Sequence, residues 1–359
     1  MQKIKILHIL YSGQGGLGTY FMNFVNSDQK KQFEHFVFFY GIEELDKELE
    51  AFCKEQQIPY RYQRKQSKID LKALGKVLEF RKENQIQYLL LHTFSLSFLT
   101  ILGLIKNWKV IAFDHTTLAY KTKIEKLFTL VNHLFAQKMI YFYKGHFEQN
   151  KRQFPFLRFG KNTHIIPKTV DIHFFKPAHK KLDHPHFTLG ITARLIQGKR
   201  HDLIIEAIRT LKQKGQIVQL KIAGKGPKEG ELKAMVTNYQ LDEEIEFVGL
   251  LNRNQLLHFY QSLDAYIHAS EGETICYSIM EAQACGLPIL ASDVEGISNY
   301  LQEGKEAVLF ENTTEHIKKA ILKMINDANL VEFGNFARNQ AEVLFKKYNN
   351  PEMLKNLLI

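Results

Sequence analysis

Glu273 and Glu281 stand with seven residues between them in "SEGETICYSIMEAQACGLPILASDVEG" (270–296). The strand-like "AYIHAS" before them passes through a short turn into a helical run. A glutamate ahead of a helix and another on it can face the same cleft, one reaching a sugar and the other a ribose. The turn's N–H groups and the helix dipole suit a phosphate between them.

A second chemical signal lies near the start, in "YSGQGGLGTY" (11–20), where Gly13, Gly15 and Gly18 fit the G-x-G-x-x-G of a dinucleotide-binding turn. Such a site requires an acidic residue at the end of the second strand for the ribose hydroxyls. Here that strand, "HFVFFYG", ends in Tyr40 and Gly41, and Glu43 and Glu44 fall beyond it, at the expected start of the next helix. The loop therefore argues for an anion at a helix N-terminus rather than for a nicotinamide cofactor.

These stretches resemble the GT-B glycosyltransferases of the large retaining group called family 4, also known as glycosyltransferase group 1. Their signature, Glu, seven residues, Glu, then Ala-x-Ala-x-Gly-x-Pro, is matched by Glu273, Glu281, Ala282, Ala284, Gly286 and Pro288. "GITARLIQGKR" resembles the family's G-R-L-x-x-x-K segment, "IAGKGP" (222–227) its I-x-G-x-G-P turn, and "GGLGTY" its first glycine turn. The departures are "PKTVD" (167–171) in place of P-N-G-V-D, and Ile275 and Cys276 where Phe and Gly are common.

The resemblance implies a nucleotide-sugar donor, linked to UDP or GDP, and transfer with retention, without a cofactor or a metal ion. It places donor contacts at Gly15, Gly16, Arg194, Lys199, Gly224, Glu273, Ile275, Cys276, Tyr277 and Glu281. Catalytic roles fall to His115, Glu273, Arg194 and Lys199, with the two cations on the donor diphosphate. Charge that develops on a leaving diphosphate is stabilised by fixed cations and N–H dipoles, which agrees with that assignment. His115, in "AFDHTTLAY" (112–120), is the histidine expected near the reacting sugar, with Asp114 orienting its ring; His92 is a weaker candidate.

The elements that must hold these residues alternate strand-like and helical along the chain, as in parallel α/β layers. Strands are expected near 3–10, 35–40, 87–92, 108–113, 138–142 and 163–166, and again near 186–192, 218–223, 245–248, 264–268, 287–291 and 307–310. The polar "KPAHKKLDHPH" (176–186) reads as a linker between the two series. The expected fold is α/β, GT-B, with two facing Rossmann-like domains and a cleft between them. Residues 1–175 form the acceptor domain and 187–340 the donor domain, and a helix over 341–359 crosses back to the first.

Composition narrows the partners. The net charge of +10 is uneven, +13 over residues 1–180 and −3 over 181–359, which points to an anionic partner for the first half. "KTKIEKLFTLVNHLFAQK" (121–138) and "KRQFPFLRFGK" (151–161) mix cations with large apolar side chains, the composition of a surface that meets anionic lipid or a lipid-linked phosphate. No RNP, helix-turn-helix or KH pattern occurs, so no nucleic acid is expected.

The three cysteines have no metal-ligand spacing, and no secretory signal opens the chain. The uncharged "YLLLHTFSLSFLTILGLI" (88–105) divides into a buried strand ending near His92 and a helix from Ser95. The expected location is cytoplasmic, with peripheral contact at the inner face of the plasma membrane. The expected activity is transfer of a sugar to a glycan or lipid-linked saccharide in bacterial surface polysaccharide synthesis. The alternatives are a nucleotide-sugar 2-epimerase of the same double-Rossmann plan and a basic nucleic-acid-binding protein.

Overall fold

The long apolar runs of the chain become central strands of two parallel sheets, because strands covered by helices on both faces need no polar side. A computed structural model describes residues 3–358 apart from 14, 29, 67–69, 119–120, 156–161, 180–184, 328 and 349. Parts of the glycine loop, of the basic stretch 151–161 and of the linker 176–186 thus lie outside the described residues.

The first sheet holds β1 (Ile4–Leu10), β2 (Phe33–Gly41), β3 (Tyr60–Arg64), β4 (Tyr88–Leu91), β5 (Lys109–Phe113), β6 (Lys138–Tyr141) and β7 (Thr163–Ile165). The second holds β8 (Phe187–Thr192), β9 (Val218–Ala223), β10 (Ile245–Gly249), β11 (Ala265–His268), β12 (Ile289–Ser292) and β13 (Ala307–Phe310). Their orders are β3-β2-β1-β4-β5-β6-β7 and β10-β9-β8-β11-β12-β13. In each the order reverses beside the first strand, between β1 and β4 and between β8 and β11. At such a switch point neighbouring connections leave in opposite directions and open a crevice at the carboxyl ends of the strands. The fold is the α/β, two-sheet arrangement expected.

Several local expectations need correction. β3 is absent from the expected strands, because "YRYQR" is polar and pairs only with β2 at the sheet edge. The helix after β2 starts at Lys47, capped by Asp46, and not at Glu43. The chain divides into Met1–Lys168 with Tyr348–Ile359, and Thr169–Lys347. The boundary therefore precedes the polar 176–186 stretch, since Val170, Ile172 and Phe175 belong to the second unit's apolar core. The tail expected as one helix from 341 is two helices, Leu330–Lys347 and Asn350–Leu358. The last packs against the first unit, where Tyr88 Oη and Lys109 Nζ donate to the Leu358 carbonyl at 3.5 and 3.4 Å. The run 88–105 divides into β4 and the helix Phe98–Lys106, and no helix among the described residues is long and apolar enough to cross a membrane.

Lys121 and Asp114 also differ from expectation. Lys121 is fully buried: its Nζ lies 2.5 Å from Asp114 Oδ2 and 3.0 Å from Thr129 Oγ1, so it contributes nothing to a basic surface. The same carboxylate lies 3.4 Å from His146 Nε2. Burial alone would push the Asp114 carboxyl up; the Lys121 ammonium and the His146 ring outweigh it and hold it below the usual carboxylate range. The Asp114 carboxylate thus faces Lys121 and His146 ahead of the helix Lys123–Phe135. Removing one partner of a buried pair leaves an uncompensated charge. Lys121→Met is accordingly expected to cost about 3–5 kcal/mol, and Lys121→Met with Asp114→Asn much less. Denaturant titration of the three proteins checks this, and equal midpoints for wild type and Lys121→Met would contradict it.

Candidate active site

In the second unit the candidate residues gather after the strands that flank the switch point. β11 ends at His268, and the loop beyond it is pinned at Ser270, whose N–H donates to Ser292 Oγ at 2.9 Å and whose carbonyl accepts from Asn312 Nδ2 at 2.8 Å. Ser292 Oγ in turn donates to Asn312 Oδ1 at 2.6 Å. The loop then passes so close to Gly296, at φ +87°, that a Cβ there would sit 1.8 Å from the Glu273 carbonyl. Only glycine satisfies both conditions. The helix Tyr277–Ala284 follows, with Cys276 at its N-cap and no side-chain cap among the described residues.

Glu273 is the electrostatic centre. Its Oε1 is paired with Lys199 Nζ and lies 2.9 Å from His268 Nε2. Lys199 reaches it from the 3-10 turn Gln197–Lys199, which follows β8. Burial would raise the Glu273 carboxyl, but Lys199 and then His268 outweigh it and hold it at about 2. Burial would likewise lower His268; its contacts with Cys276 and Glu273 raise it to about 9 against the charge of Lys199. Glu273 is thus a fixed anion at neutral pH, held between two cations and suited to accept hydrogen bonds from hydroxyls.

Ligand atoms of His268, Glu273 and Cys276 lie within 4.8 Å of one another, a spacing a metal ion could span. Cys276 Sγ is 3.5 Å from His268 Nε2. Lys199 Nζ and His268 Nε2 are both already directed at Glu273 Oε1, so a metal ion on that oxygen would have to displace one of them.

Glu281 lies one turn into the helix, buried, with its Oε2 accepting from Tyr260 Oη at 2.8 Å. Tyr260 also contacts Thr192 Oγ1 at 2.9 Å, which ties the carboxylate to the end of β8. Arg194, two residues past β8, is exposed. Beside it Gly224 has φ +141°, and a Cβ there would meet the Ala193 carbonyl at 2.0 Å, so the two turns can approach only with glycine in place. Cys276 and Tyr277 are buried and Ile275 packs against the apolar core.

The first unit carries the remaining candidates. Gly15, at φ +147°, is the N-cap of the helix Gly16–Ser27, and its carbonyl accepts from Gly18 N–H at 3.0 Å. Gly13 and Gly18 have packing reasons of their own, since a Cβ would strike Glu43 at 1.8 Å or Leu49 at 2.9 Å. His115 follows β5, with its Nε2 3.1 Å from His92 Nδ1 and its ring edge-on to Tyr20 of the glycine-turn helix. His92 is thus one of the rings that flank His115.

His268, Tyr260, Thr192 and Asn312 are site residues that sequence reasoning misses. His268 leaves one signal, a histidine closing an apolar strand five residues before Glu273. Tyr260 leaves none, because its role depends on how the helix Arg253–Gln261 packs.

Comparison with known proteins bears on the family and the fold. The family model Glycosyl transferases group 1 matches residues 174–343. The protein is similar to the amylovoran biosynthesis glycosyltransferase AmsK of Erwinia amylovora, 28% identical over 174 residues, 46% of this chain and 43% of that protein. It is also similar to the phosphatidylinositol N-acetylglucosaminyltransferase gpi3 subunit of Schizosaccharomyces pombe, 28% identical over 141 residues, 39% of this chain and 31% of that protein. The matched part thus spans well under half of these curated relatives. The crystal structure of Anabaena Alr3699/HepE in complex with UDP-glucose is similar in fold, with TM-score 0.81, 18% identity and 99% of both chains covered. The second unit thus matches the model of the group 1 glycosyltransferases, and the chain has the GT-B fold.

The Glu273–His268 contact gives a pH signature. His268 contributes stability that is full below its ordinary value of 6.5 and is lost as pH rises through about 9. Glu273 contributes stability that is present above its ordinary 4.5 and is lost as pH falls through about 2. The gap in stability between wild type and His268→Gln is therefore expected to be widest between pH 4.5 and 6.5 and to close as pH approaches 9. Thermal unfolding across that range measures it; a gap independent of pH would show that the ring is not charged.

Proposed function

We propose that the protein transfers a sugar, with retention of configuration and without a metal ion, from a nucleotide-sugar donor to a glycan or lipid-linked saccharide of a surface polysaccharide. The observation that carries this reading is the fixed Glu273 anion beside Lys199, at the carboxyl ends of β8 and β11, next to an uncapped helix N-terminus. In it Arg194, Lys199 and the N–H groups from Ile275 to Tyr277 stabilise the leaving diphosphate. Glu273 accepts from the sugar hydroxyls and Glu281 from the ribose. The Anabaena protein crystallised with UDP-glucose supports a UDP-linked donor, and the amylovoran relative supports a polysaccharide product.

The acceptor side of the reading rests on the first unit. Leu104 and Ile105 on the helix Phe98–Lys106, and Leu127 and Leu134 on the neighbouring helix Lys123–Phe135, are 56–69% exposed. The two helices pack together through Phe98 and Phe128, and Lys106 and Lys123 on the same helices are exposed. An apolar surface carrying cations suits the face of an anionic bilayer, where a lipid-linked acceptor would be presented.

Two measurements test the reading. Arg194→Ala or Lys199→Ala is expected to lower turnover about 10²-fold or more with folding intact, and UDP but not NAD is expected to raise the thermal midpoint. Wild-type turnover in both variants, or a shift with NAD in place of UDP, would overturn the assignment. Replacing Lys123, Lys126, Lys151 and Arg152 with glutamine should reduce flotation with vesicles of anionic lipid while leaving UDP affinity unchanged. Equal flotation would mean that these cations are only solvated and that the acceptor reaches the site from solution.

A further inference from the structure

Glu273 has a thiol and an imidazole beside it, those of Cys276 and His268, and the ligand atoms of the three lie within 4.8 Å of one another. His268 Nε2 is 2.9 Å from Glu273 Oε1 and 3.5 Å from Cys276 Sγ, so one ring nitrogen faces both. A tetrahedral zinc ion, with bonds of about 2.0–2.1 Å to nitrogen and about 2.3 Å to sulfur, holds those two atoms about 3.5 Å apart. The nitrogen–sulfur separation is already that of a coordinated pair. The nitrogen–oxygen separation is that of a hydrogen bond and has to widen by about 0.5 Å.

Bonds outside the trio hold this arrangement. Ser270 is tied to Ser292 and Asn312, and the Glu273 carbonyl lies against Gly296. His268 Nδ1 is 3.3 Å from Tyr266 Oη, which donates to the Thr192 carbonyl at 3.2 Å and so can accept from the ring. An Nδ1–H bound there leaves Nε2 to act as the ligand. Ser278 Oγ, 3.1 Å from Cys276 Sγ, can donate to a thiolate.

Lys199 is the competitor, because its ammonium and a metal ion claim the same oxygen, Glu273 Oε1. A dication bound by a thiolate and a carboxylate makes a neutral group, which no longer attracts the ammonium. Lys199 reaches in on a flexible stem from the turn after β8, and its side chain and that of Glu273 keep 17% and 14% exposure. The ammonium can therefore leave toward solvent and an ion can enter.

We propose that His268 Nε2, Glu273 Oε1 and Cys276 Sγ bind a divalent cation of the zinc class, that the ion displaces Lys199, and that its binding inhibits sugar transfer. The protons of the Cys276 thiol and of His268 Nε2 pass to solvent as the metal takes their places. One sulfur, one nitrogen and one oxygen donor select zinc or cobalt over magnesium and calcium, which take oxygen ligands. Transfer itself needs no metal; the ion occupies the carboxylate that the donor sugar requires. That inhibitory step rests on the reading of Glu273 as the partner of the sugar hydroxyls.

The probe is cobalt(II), added to the chelator-treated full chain and followed by absorption. Cobalt on a thiolate shows a sulfur-to-metal charge-transfer band that histidines and carboxylates elsewhere in the chain cannot give. The wild type is expected to bind one equivalent with that band, and zinc to erase it by displacing the cobalt. Cys276→Ser should lack the band, and Lys199→Met should bind cobalt about tenfold tighter or more, since the competing cation is gone. Zinc should raise the donor KM of the wild type, and excess UDP-sugar should restore the rate. Absence of the band in the wild type, the same band in Cys276→Ser, or unaltered cobalt affinity in Lys199→Met would overturn the site. Binding with all these properties but transfer indifferent to zinc would instead overturn the inhibitory step and the reading of Glu273 behind it, and leave the metal site standing.

Discussion

An ionised carboxylate that is mostly shielded from water must be matched by charge, and the second unit is arranged around that constraint at Glu273. Lys199 arrives from the turn after β8 and His268 from the end of β11, so one contact joins the two strands that border the switch point. Close approach of Gly296 and the bonds of Ser270 to Ser292 and Asn312 hold the loop where these charges can meet. Without them the carboxylate would face burial alone, which raises its pKa and removes the anion.

The two sheets use the same topological device for different ends. In the second it gathers charge and N–H groups, which suit a diphosphate and a sugar. In the first it gathers imidazoles beneath an aromatic cover, with the glycine turn at the start of that cover. Gly15 supplies the backbone conformation, while Gly13 and Gly18 make room for Glu43 and Leu49. A G-x-G-x-x-G spacing therefore arises here partly from packing of the chain against itself, which explains how the loop can imitate a dinucleotide fingerprint without the acidic partner.

Much of this is legible in the sequence. Continuous apolar runs identify buried parallel strands, and the expected central strands appear; β3 escapes because an edge strand can be as polar as a loop. The two glutamates and Lys199 are readable because a short loop and a helix carry them at fixed spacing. His268, Tyr260 and the contact of His92 with His115 are not, because their partners come from distant strands whose order local pattern does not reveal. Lys121 misleads for the same reason: a lysine among amphipathic residues reads as surface until the fold brings Asp114 against it. The domain boundary is expected too late because a polar, proline-bearing stretch is the usual mark of a linker, whereas Val170, Ile172 and Phe175 already serve the second core.

The division of labour between the two glutamates is the central claim, and calorimetric titration of UDP and a UDP-sugar into Glu273→Gln and Glu281→Gln tests it most directly. Glu281→Gln is expected to weaken both ligands equally, since both contain the ribose. Glu273→Gln is expected to leave UDP affinity at the wild-type level and remove the extra affinity that the sugar provides. Equal loss of UDP affinity in the two variants would contradict the assignment of Glu273 to the sugar and make it part of the nucleotide site.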